Sequence, residues 1–411
     1  MMPQGILRGV RVLELGPLVA LPLTGRHLAA LGAEVIKLET NRVLDNMIYI
    51  PGWKPGIGQP EYQAMKRRIT LDVRHPKAKP VLERLFKISD VFVTNFRRRV
   101  LREWGMDFPQ VREINPNIII LWQTGAGSQG PYGEHKTFGN LIQHLCGISS
   151  MTGPADDDTP GTANNSYSDY HAGVFQPTAI IAALLRRRRT GKTAFMECSI
   201  FKSGAVTVGP AVLDYQANGR FPPRLGNRHR YAAPHGVYPC KGDDRWCTIA
   251  VFTHQEWRGL VQAMGNPAWA QDGRFPTAAE RVRHAEELDG LISQWTQSFT
   301  AQEVMERLQQ AGVPAGLVAR GQELAESPQL KARDFYREAS YHIPEQGKPG
   351  VEWEEGGEKV IAWSVPIRFS ETPCLYGPMH RIGEDNDYVY RELCRISPQE
   401  MDELNREGVL S

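Results

Sequence analysis

Residues 10–39 read VRVLELGPLVALPLTGRHLAALGAEVIKLE, and this stretch decides the fold. Residues 10–16 are an apolar run closed by Gly16, the pattern of a buried strand. Residues 24–31 place apolar positions at helical spacing and stop at Gly32. Residues 33–39 (AEVIKLE) repeat the strand pattern. Strand, helix and strand in this order predict a right-handed β-α-β unit, and hence a parallel sheet. The first turn, Gly16-Pro17-Leu18-Val19-Ala20, is not G-x-G-x-x-G, so a dinucleotide-dependent dehydrogenase loses its main sequence support.

Further strands are predicted at residues 90–96 (DVFVTNF), 117–124 (NIIILWQT) and 194–200. Helices are expected from Pro80 onward, at 138–148 and at 201–215. The strand ends open into loops of Gly, Asn or Arg, among them Arg97, Arg98 and Arg99 and the run GAGSQGPYG at 125–133. Open parallel sheets bind ligands at that carboxyl edge. Residues 41–70 read as a long irregular segment rich in Gly and Pro, the kind that serves function or a partner.

The composition of 218–236 is that of a linker. Beyond it a strand at 246–252 and helices at 255–264, 279–299 and 301–310 suggest a smaller α+β domain. The last helix has a capping box, Thr300 with Glu303, and a Gly312 stop. Residues 327–370 alternate strand-like pieces with a charged turn, EEGGEK, and a charged helical end follows. The expected architecture is α/β: a Rossmann-like large domain (1–217), the linker, a small domain (237–326), and a return segment (327–411) completing the large domain.

The chain has 411 residues, 41% apolar and 23% charged, with a net charge of +2. That balance gives no general attraction to nucleic acid or membrane, so an anionic partner must be met locally. No apolar run is long enough to span a bilayer, and the N-terminus lacks a signal peptide's apolar core, so a cytoplasmic protein is expected. The six cysteines include no C-x-x-C pair, and His235 with Cys240 and Cys247 fits no zinc spacing. Free thiols and no metal are expected. The run at 186–189 lacks interleaved aromatics, and Gly191-Lys192-Thr193 lacks the upstream glycine of a P-loop.

Asp169 ends a polar approach (GTANNSYSD, 161–169) to an apolar, Ala-rich helix signal at 179–185, closed by Arg186–189 and Gly191. It is expected at or just before a helix N-terminus. One reading is an N-cap carboxylate accepting backbone N–H bonds. The other is a nucleophile, already ionised at neutral pH and able to attack an activated acyl group without a general base.

In order and spacing, several pieces together resemble the family III CoA-transferases. They are GVRVLELG with LGAEVIKLE, KRRITLDVRHPKAK (66–79), Asn95-Phe96, GSQGPYG, the Asp169 segment, GNRH (226–229), GVPAG (312–316) and SPQLKARDF (327–335). The resemblance implies a large Rossmann-like domain built from both chain ends, and two subunits threaded through each other. The partner is then an identical or a related subunit. It implies acyl-CoA and a carboxylic acid as substrates. Asp169 is then the residue that carries the acyl group as a mixed anhydride, and afterwards CoA as a thioester. Coenzyme A would meet Leu18, Val19 and Ala20, Leu71 and Arg74, Asn95 and Phe96, Lys136 and Phe138, with Arg97–Arg99 and Arg102 as local phosphate partners. Small residues Ala172 and Gly173 would leave room for backbone N–H donors to the oxyanion.

Against the formyl-CoA transferase pattern, Val19 replaces a glutamine, Thr40 an arginine, and Phe138-Gly139 a tyrosine–glutamate pair. A larger, less polar acceptor is therefore expected. The resemblance within the family implies an aryl-substituted dicarboxylate such as benzylsuccinate as acceptor, with succinyl-CoA as donor. Two alternatives remain at this point. One is an α-methylacyl-CoA racemase, which needs a His–Asp pair where Phe138-Gly139-Asn140 stands. The other is a non-catalytic CoA-binding partner subunit, against which the presence of Asp169 counts.

Overall fold

The computed structural model describes residues 5–48, 57–155, 159–161, 166–341, 358–363 and 365–411. The PGWKPG stretch at 51–56, most of the polar approach to Asp169 (162–165) and most of the EEGGEK turn lie outside these residues. The chain divides into two compact units. The first gathers Met1–Ile148, Ala163–Leu213 and Pro328–Ser411, and the second Ser149–Thr162 and Asp214–Ser327.

The first unit opens with β1 (Arg11–Leu15), α1 (Ala20–Ala30) and β2 (Glu34–Glu39). Then come α2 (Gln59–Gln63), β3 (Arg67–Thr70), α3 (Ala78–Lys87), β4 (Val91–Thr94), α4 (Arg98–Glu103), α5 (Phe108–Ile114) and β5 (Ile119–Thr124). The series ends with α6 (Gly139–Leu145), α7 (Tyr167–Thr190), β6 (Phe195–Ser199), α8 (Ile200–Thr207) and α9 (Gly209–Asn218). The strands form one parallel sheet in the order β3-β2-β1-β4-β5-β6. The direction of winding reverses between β1 and β4, where such sheets open a crevice at their carboxyl ends.

Alternation along the strands feeds two helical layers. Leu13, Ile36, Ile69, Phe92 and Ile120 face α3, α5 and the C-terminal segment. Val12, Val35, Val91, Val93, Ile119 and Leu121 face α1 and α7. Glu14 and Lys37 share this second face, which puts charged groups inside the core.

Helix α1 starts earlier than its apolar spacing suggests. Pro22 sits in its first turn, where a missing N–H breaks no intrahelical bond. Helix α7 likewise extends well beyond the predicted 179–185 and contains Pro177. The carbonyl this proline leaves without a donor, that of Gly173, is approached by Thr24 Oγ1 at 3.4 Å. The single helix expected at 201–215 is broken at Val208 into α8 and α9. Residues 41–70 are not irregular throughout, since they include α2 and β3. Strand β3 reads RRIT, yet Arg68 is buried in a two-pronged ion pair with Glu39 (2.7 and 2.8 Å). The outer edge of β3 is covered by the C-terminal segment. Arg68 N–H donates to Asp385 (2.8 Å), Thr70 N–H to Asn386 (2.9 Å), and Tyr390 Oη to the Thr70 carbonyl (2.8 Å). Such coverage is how an edge strand avoids pairing with another chain.

In the second unit, β7 (His235–Pro239), β8 (Trp246–Ala250) and β9 (Ala315–Leu317) form an antiparallel sheet. The predicted linker thus ends inside β7. Helices α10 (His254–Ala263), α11 (Ala278–Arg283), α12 (Ala285–Thr296) and α13 (Ala301–Gln310) cover it. The helix expected at 279–299 is divided at His284, and the Thr300–Glu303 capping box is present. The six cysteines are free thiols. No helix among the described residues is long and apolar enough to cross a membrane.

One helix is out of balance with its composition. None of the residues of α9 is buried, although it exposes Val212, Leu213 and Tyr215, and Val206 on α8 and Phe175 on α7 are exposed too. Apolar side chains left uncovered along a helix in this way are candidates for burial against another chain.

Candidate active site

The β1–α1 turn is held from four directions. Gly16 has no room for a side chain, because a Cβ there would lie 2.1 Å from Asn95 Oδ1. Asn95 Nδ2 donates to the Pro17 carbonyl (2.9 Å). Leu18 adopts φ 74°, a left-handed conformation that leucine rarely takes. Its N–H donates to both carboxylate oxygens of Asp45 (3.2 and 3.0 Å), which also accept from Met47 N–H (3.0 Å). Burial pushes the Asp45 carboxyl up, while the Lys37 charge and these N–H donors pull it back. Below the turn, Lys37 Nζ donates to the Gly16 carbonyl and to Glu14 (2.8 Å). Lys66 Nζ donates to Glu14 (2.9 Å) and to the Pro22 carbonyl (2.8 Å). The turn is therefore set by side chains from β1, β2, the end of β4 and two loops.

A cavity of about 400 Å³ opens above it at the carboxyl edge of β1–β4. Its walls are largely apolar, with Leu15, Leu38, Leu44, Leu71, Phe96 and Trp104, and Arg74 stands among the lining residues with its side chain 57% exposed. Four of the predicted CoA contacts, Leu18, Leu71, Arg74 and Phe96, thus come together. The others lie apart from the lining. Val19 precedes α1 and Ala20 is buried in its first turn. Asn95 supports the turn from below. Lys136 and Phe138 are exposed before α6. Arg97 is exposed before α4. Arg98 and Arg102 share Asp107 (2.8 and 3.1 Å), and Arg99 pairs with Glu103 (3.1 Å). Sequence reasoning missed Asp45, Glu14, Lys37 and Lys66. The only signal was their charge in an apolar or Gly/Pro-rich context.

Asp169 is the third residue of α7, after the N-cap position Ser166, and is buried. It is therefore not the N-cap. Burial pushes its carboxyl up to about 6, and a hydrogen bond with the Ser166 side chain draws it back. Among the described residues no cation pairs with it. Gly139, at the start of α6, lies against it: a Cβ there would sit 2.0 Å from Asp169 Oδ2. Ala172 and Gly173 serve packing rather than open space. Ala172 is buried, and a Cβ on Gly173 would meet Leu23 Cδ2 at 2.9 Å and the Ala20 carbonyl at 3.1 Å. This close approach ties α7 to α1, and Gln176 adds bonds to Thr24 (2.8 Å) and Gln123 (2.9 Å). His171, the nearest histidine in sequence, has Nδ1 on the Ser203 carbonyl (2.9 Å) and its ring between Tyr167 and Phe175. No His–Asp169 pair for α-proton chemistry is present among the described residues.

The family described as CoA-transferase family III matches residues 7–379. The succinyl-CoA–D-citramalate CoA-transferase of Chloroflexus aurantiacus is 31% identical over 421 aligned positions, covering 99% of each chain. The succinate–glutarate CoA-transferase of Agrobacterium fabrum is 30% identical, covering 94% of this chain and 95% of its own. Among solved structures, a CAIB/BAIF family protein from Brucella suis superposes with a TM-score of 0.83 at 28% identity, over 95% of this chain and 100% of its own. With a parallel sheet of matching fold and this extent of likeness, the chain belongs to the family III CoA-transferases.

Proposed function

We propose that this enzyme moves CoA from a short dicarboxylic acyl-CoA, with succinyl-CoA as the expected donor, to a second dicarboxylic acid through Asp169. The observation that carries the reading is the Asp169 carboxyl itself: buried, without a cation among the described residues, in the first turn of α7. A buried acid with no structural ion pair is a candidate for chemistry. The names of these relatives pair succinyl-CoA with D-citramalate, and succinate with glutarate, short diacids or the CoA thioester of one. They support a diacid acceptor in general and give no particular support to an aryl-substituted one.

Asp169 attacks the thioester carbonyl carbon, and the C–S bond breaks to give a mixed anhydride and CoA thiolate. The thiolate attacks the Asp169 carbonyl and expels the donor's carboxylate, leaving an aspartyl-CoA thioester. The acceptor carboxylate then displaces the thiolate, which takes the acceptor's acyl carbon and frees Asp169. Thioester is exchanged for thioester, no net proton is moved and no ATP is needed. Hydroxylamine is expected to trap a hydroxamate at Asp169 only when acyl-CoA is present, read by peptide mass spectrometry. A hydroxamate at another residue would overturn the assignment.

The cavity at the sheet edge fits the CoA moiety. Leu15, Leu38, Leu71, Phe96 and Trp104 suit its apolar and ring portions, and Arg74, whose Nε also meets Asp72 at 3.3 Å, suits a phosphate. Asp45 then serves binding by fixing Leu18. Asp45→Ala removes up to three charge-assisted bonds, and a loss of roughly 1.5–3 kcal/mol is expected. The KM for acyl-CoA should rise ~10- to 150-fold with kcat nearly unchanged, as initial-rate kinetics would show. A fall in kcat at constant KM would refute the binding role.

The exposed apolar residues of α9 support a two-subunit assembly in which each chain covers the other's helices, as expected for threaded subunits. No stable folded monomer should then exist. Sedimentation on dilution should show dimer giving way directly to unfolded chain. A monomer keeping its helical circular dichroism would count against threading. The free cysteines are compatible with a cytoplasmic location.

A further inference from the structure

Beside Asp169 stands a group that this chemistry leaves unused. Tyr170, the next residue of α7, places its hydroxyl 2.9 Å from Glu61 Oε1 and 2.8 Å from the Tyr62 hydroxyl. Glu61 and Tyr170 are partly buried and Tyr62 is buried, so the group is drawn from water but retains an open side. Several carboxylates of this unit have cations: Glu14 has Lys37 and Lys66, Glu39 has Arg68, and Asp385 has Arg67, whereas Asp45 is held by backbone N–H groups. Glu61 has none among the described residues. Nor do the described residues of neighbouring elements supply one. On α1, Arg26 bonds the Trp363 carbonyl and His27 the Leu23 carbonyl. In the antiparallel strand pair Tyr336–Tyr341 and Glu358–Trp363, which packs against α2, Lys359 pairs with Glu338, and Arg337 pairs with Asp334. The groups that act on Glu61 are the two phenols.

We infer that Glu61, held by Tyr170 and Tyr62, is the specificity-determining group for the distal carboxylate of a dicarboxylic substrate, donating a hydrogen bond to it as a neutral acid. The inference rests on the reading of Asp169 as the acyl carrier. A diacid bonded to that residue must put its second carboxylate somewhere close by. A guanidinium there would satisfy it, but would also draw Asp169 well below the usual carboxylate range and blunt it as a nucleophile. A protonated carboxyl binds the anion without that penalty. Burial pushes the Glu61 carboxyl up to about 7, against the hydrogen bonds from Tyr170 and Tyr62, which favour the charged form. Below that pH Glu61 donates; above it, ionised, it repels.

The test is the KM of the acceptor acid between pH 6 and 9, with succinate and glutarate as diacids and butyrate as the monoacid. In the wild type the diacid KM should rise by up to about tenfold per pH unit above 7, while the butyrate KM stays flat. Glu61→Gln, a permanent neutral donor, should flatten the diacid profile. Tyr170→Phe removes a bond that favours ionised Glu61, so the alkaline limb should move to higher pH. Equal profiles for diacid and monoacid, or a wild-type profile in both variants, would overturn the assignment. Hydroxylamine trapping at Asp169 is run on each variant. Trapping that persists while the profiles fail to differ refutes the role of Glu61 alone; trapping that fails in the wild type refutes the acyl-carrier reading beneath it.

Discussion

Asp169→Asn is expected to lower the rate of CoA transfer by at least ~10³-fold, of the order seen when a covalent nucleophile is removed. In barrier terms that is about 4 kcal/mol. The expected effect on folding is much smaller. Ser166, not Asp169, occupies the N-cap, and the Asp169 carboxylate has no ion pair to lose among the described residues. An amide in the first helical turn forfeits the favourable interaction of a carboxylate with the helix dipole, roughly 0.3–1 kcal/mol, and also sheds the burial penalty that pushes the carboxyl up, so the two effects oppose each other. The variant should therefore unfold at nearly the wild-type urea midpoint while turning over almost nothing. Had the residue been a cap, the same substitution would have been close to silent, because asparagine caps about as well as aspartate. Transfer within a few-fold of the wild type would end the nucleophile reading.

The pH profile follows from the same burial. Only ionised Asp169 attacks, and its carboxyl is pushed up to about 6 by desolvation, opposed by the Ser166 hydrogen bond. Below that value the ionised fraction drops about tenfold per pH unit, so kcat should fall on the acid side and level off above neutrality. A kcat that rises as pH falls from 7 to 5 contradicts an anionic nucleophile.

How much of this was legible in the sequence depends on how far each residue's partner lies along the chain. The β1–α1–β2 unit could be read because its apolar periodicities are local. Strand β3 was hidden because RRIT looks solvated until Glu39 and Asp385, 29 and 317 or more residues away in sequence, satisfy its arginines. The arginines after β4 read as phosphate partners on sequence alone, and the fold places Arg98 and Arg102 on Asp107 and Arg99 on Glu103 close by. Leu18, Leu71, Arg74 and Phe96 do share a cavity, since each follows a strand and neighbouring strands bring their ends together. The position of Asp169 near a helix start was visible, whereas its burial against Gly139 was not, because it depends on a residue 30 positions earlier. Asp45 and Glu61 carried no signal beyond their charge. Their significance comes from bonds to Leu18 and Tyr170, at separations of 27 and 109 residues.

Glu14→Ala is expected to destabilise the fold by about 3–5 kcal/mol, a large part of the 5–15 kcal/mol by which typical domains are stable. Glu14 is fully buried, and its Oε1 receives both Lys37 Nζ and Lys66 Nζ while those lysines hold the Gly16 and Pro22 carbonyls. Alanine leaves two ammonium groups in the core without a carboxylate, which is far more costly than never having buried the charges. Glu14→Gln, which keeps the volume and one acceptor, should lose less. The sign of the pH dependence separates this from simple loss of packing. Burial pulls Lys66 down to about 7 even with Glu14 beside it, so between about pH 7 and its ordinary value near 10.5 the unfolded chain binds more protons than the folded one. Stability from this group therefore rises with pH across that window. Without Glu14, folded Lys66 gives up its proton more readily still, and the variant's deficit should be greatest at low pH and shrink toward pH 9. Urea unfolding at fixed protomer concentration, at pH 6 and pH 9, reads both effects. A deficit that is the same at the two pH values would assign the loss to packing, and a wild-type midpoint at pH 6 would remove the charge cluster from the account of how the β1–α1 turn is held.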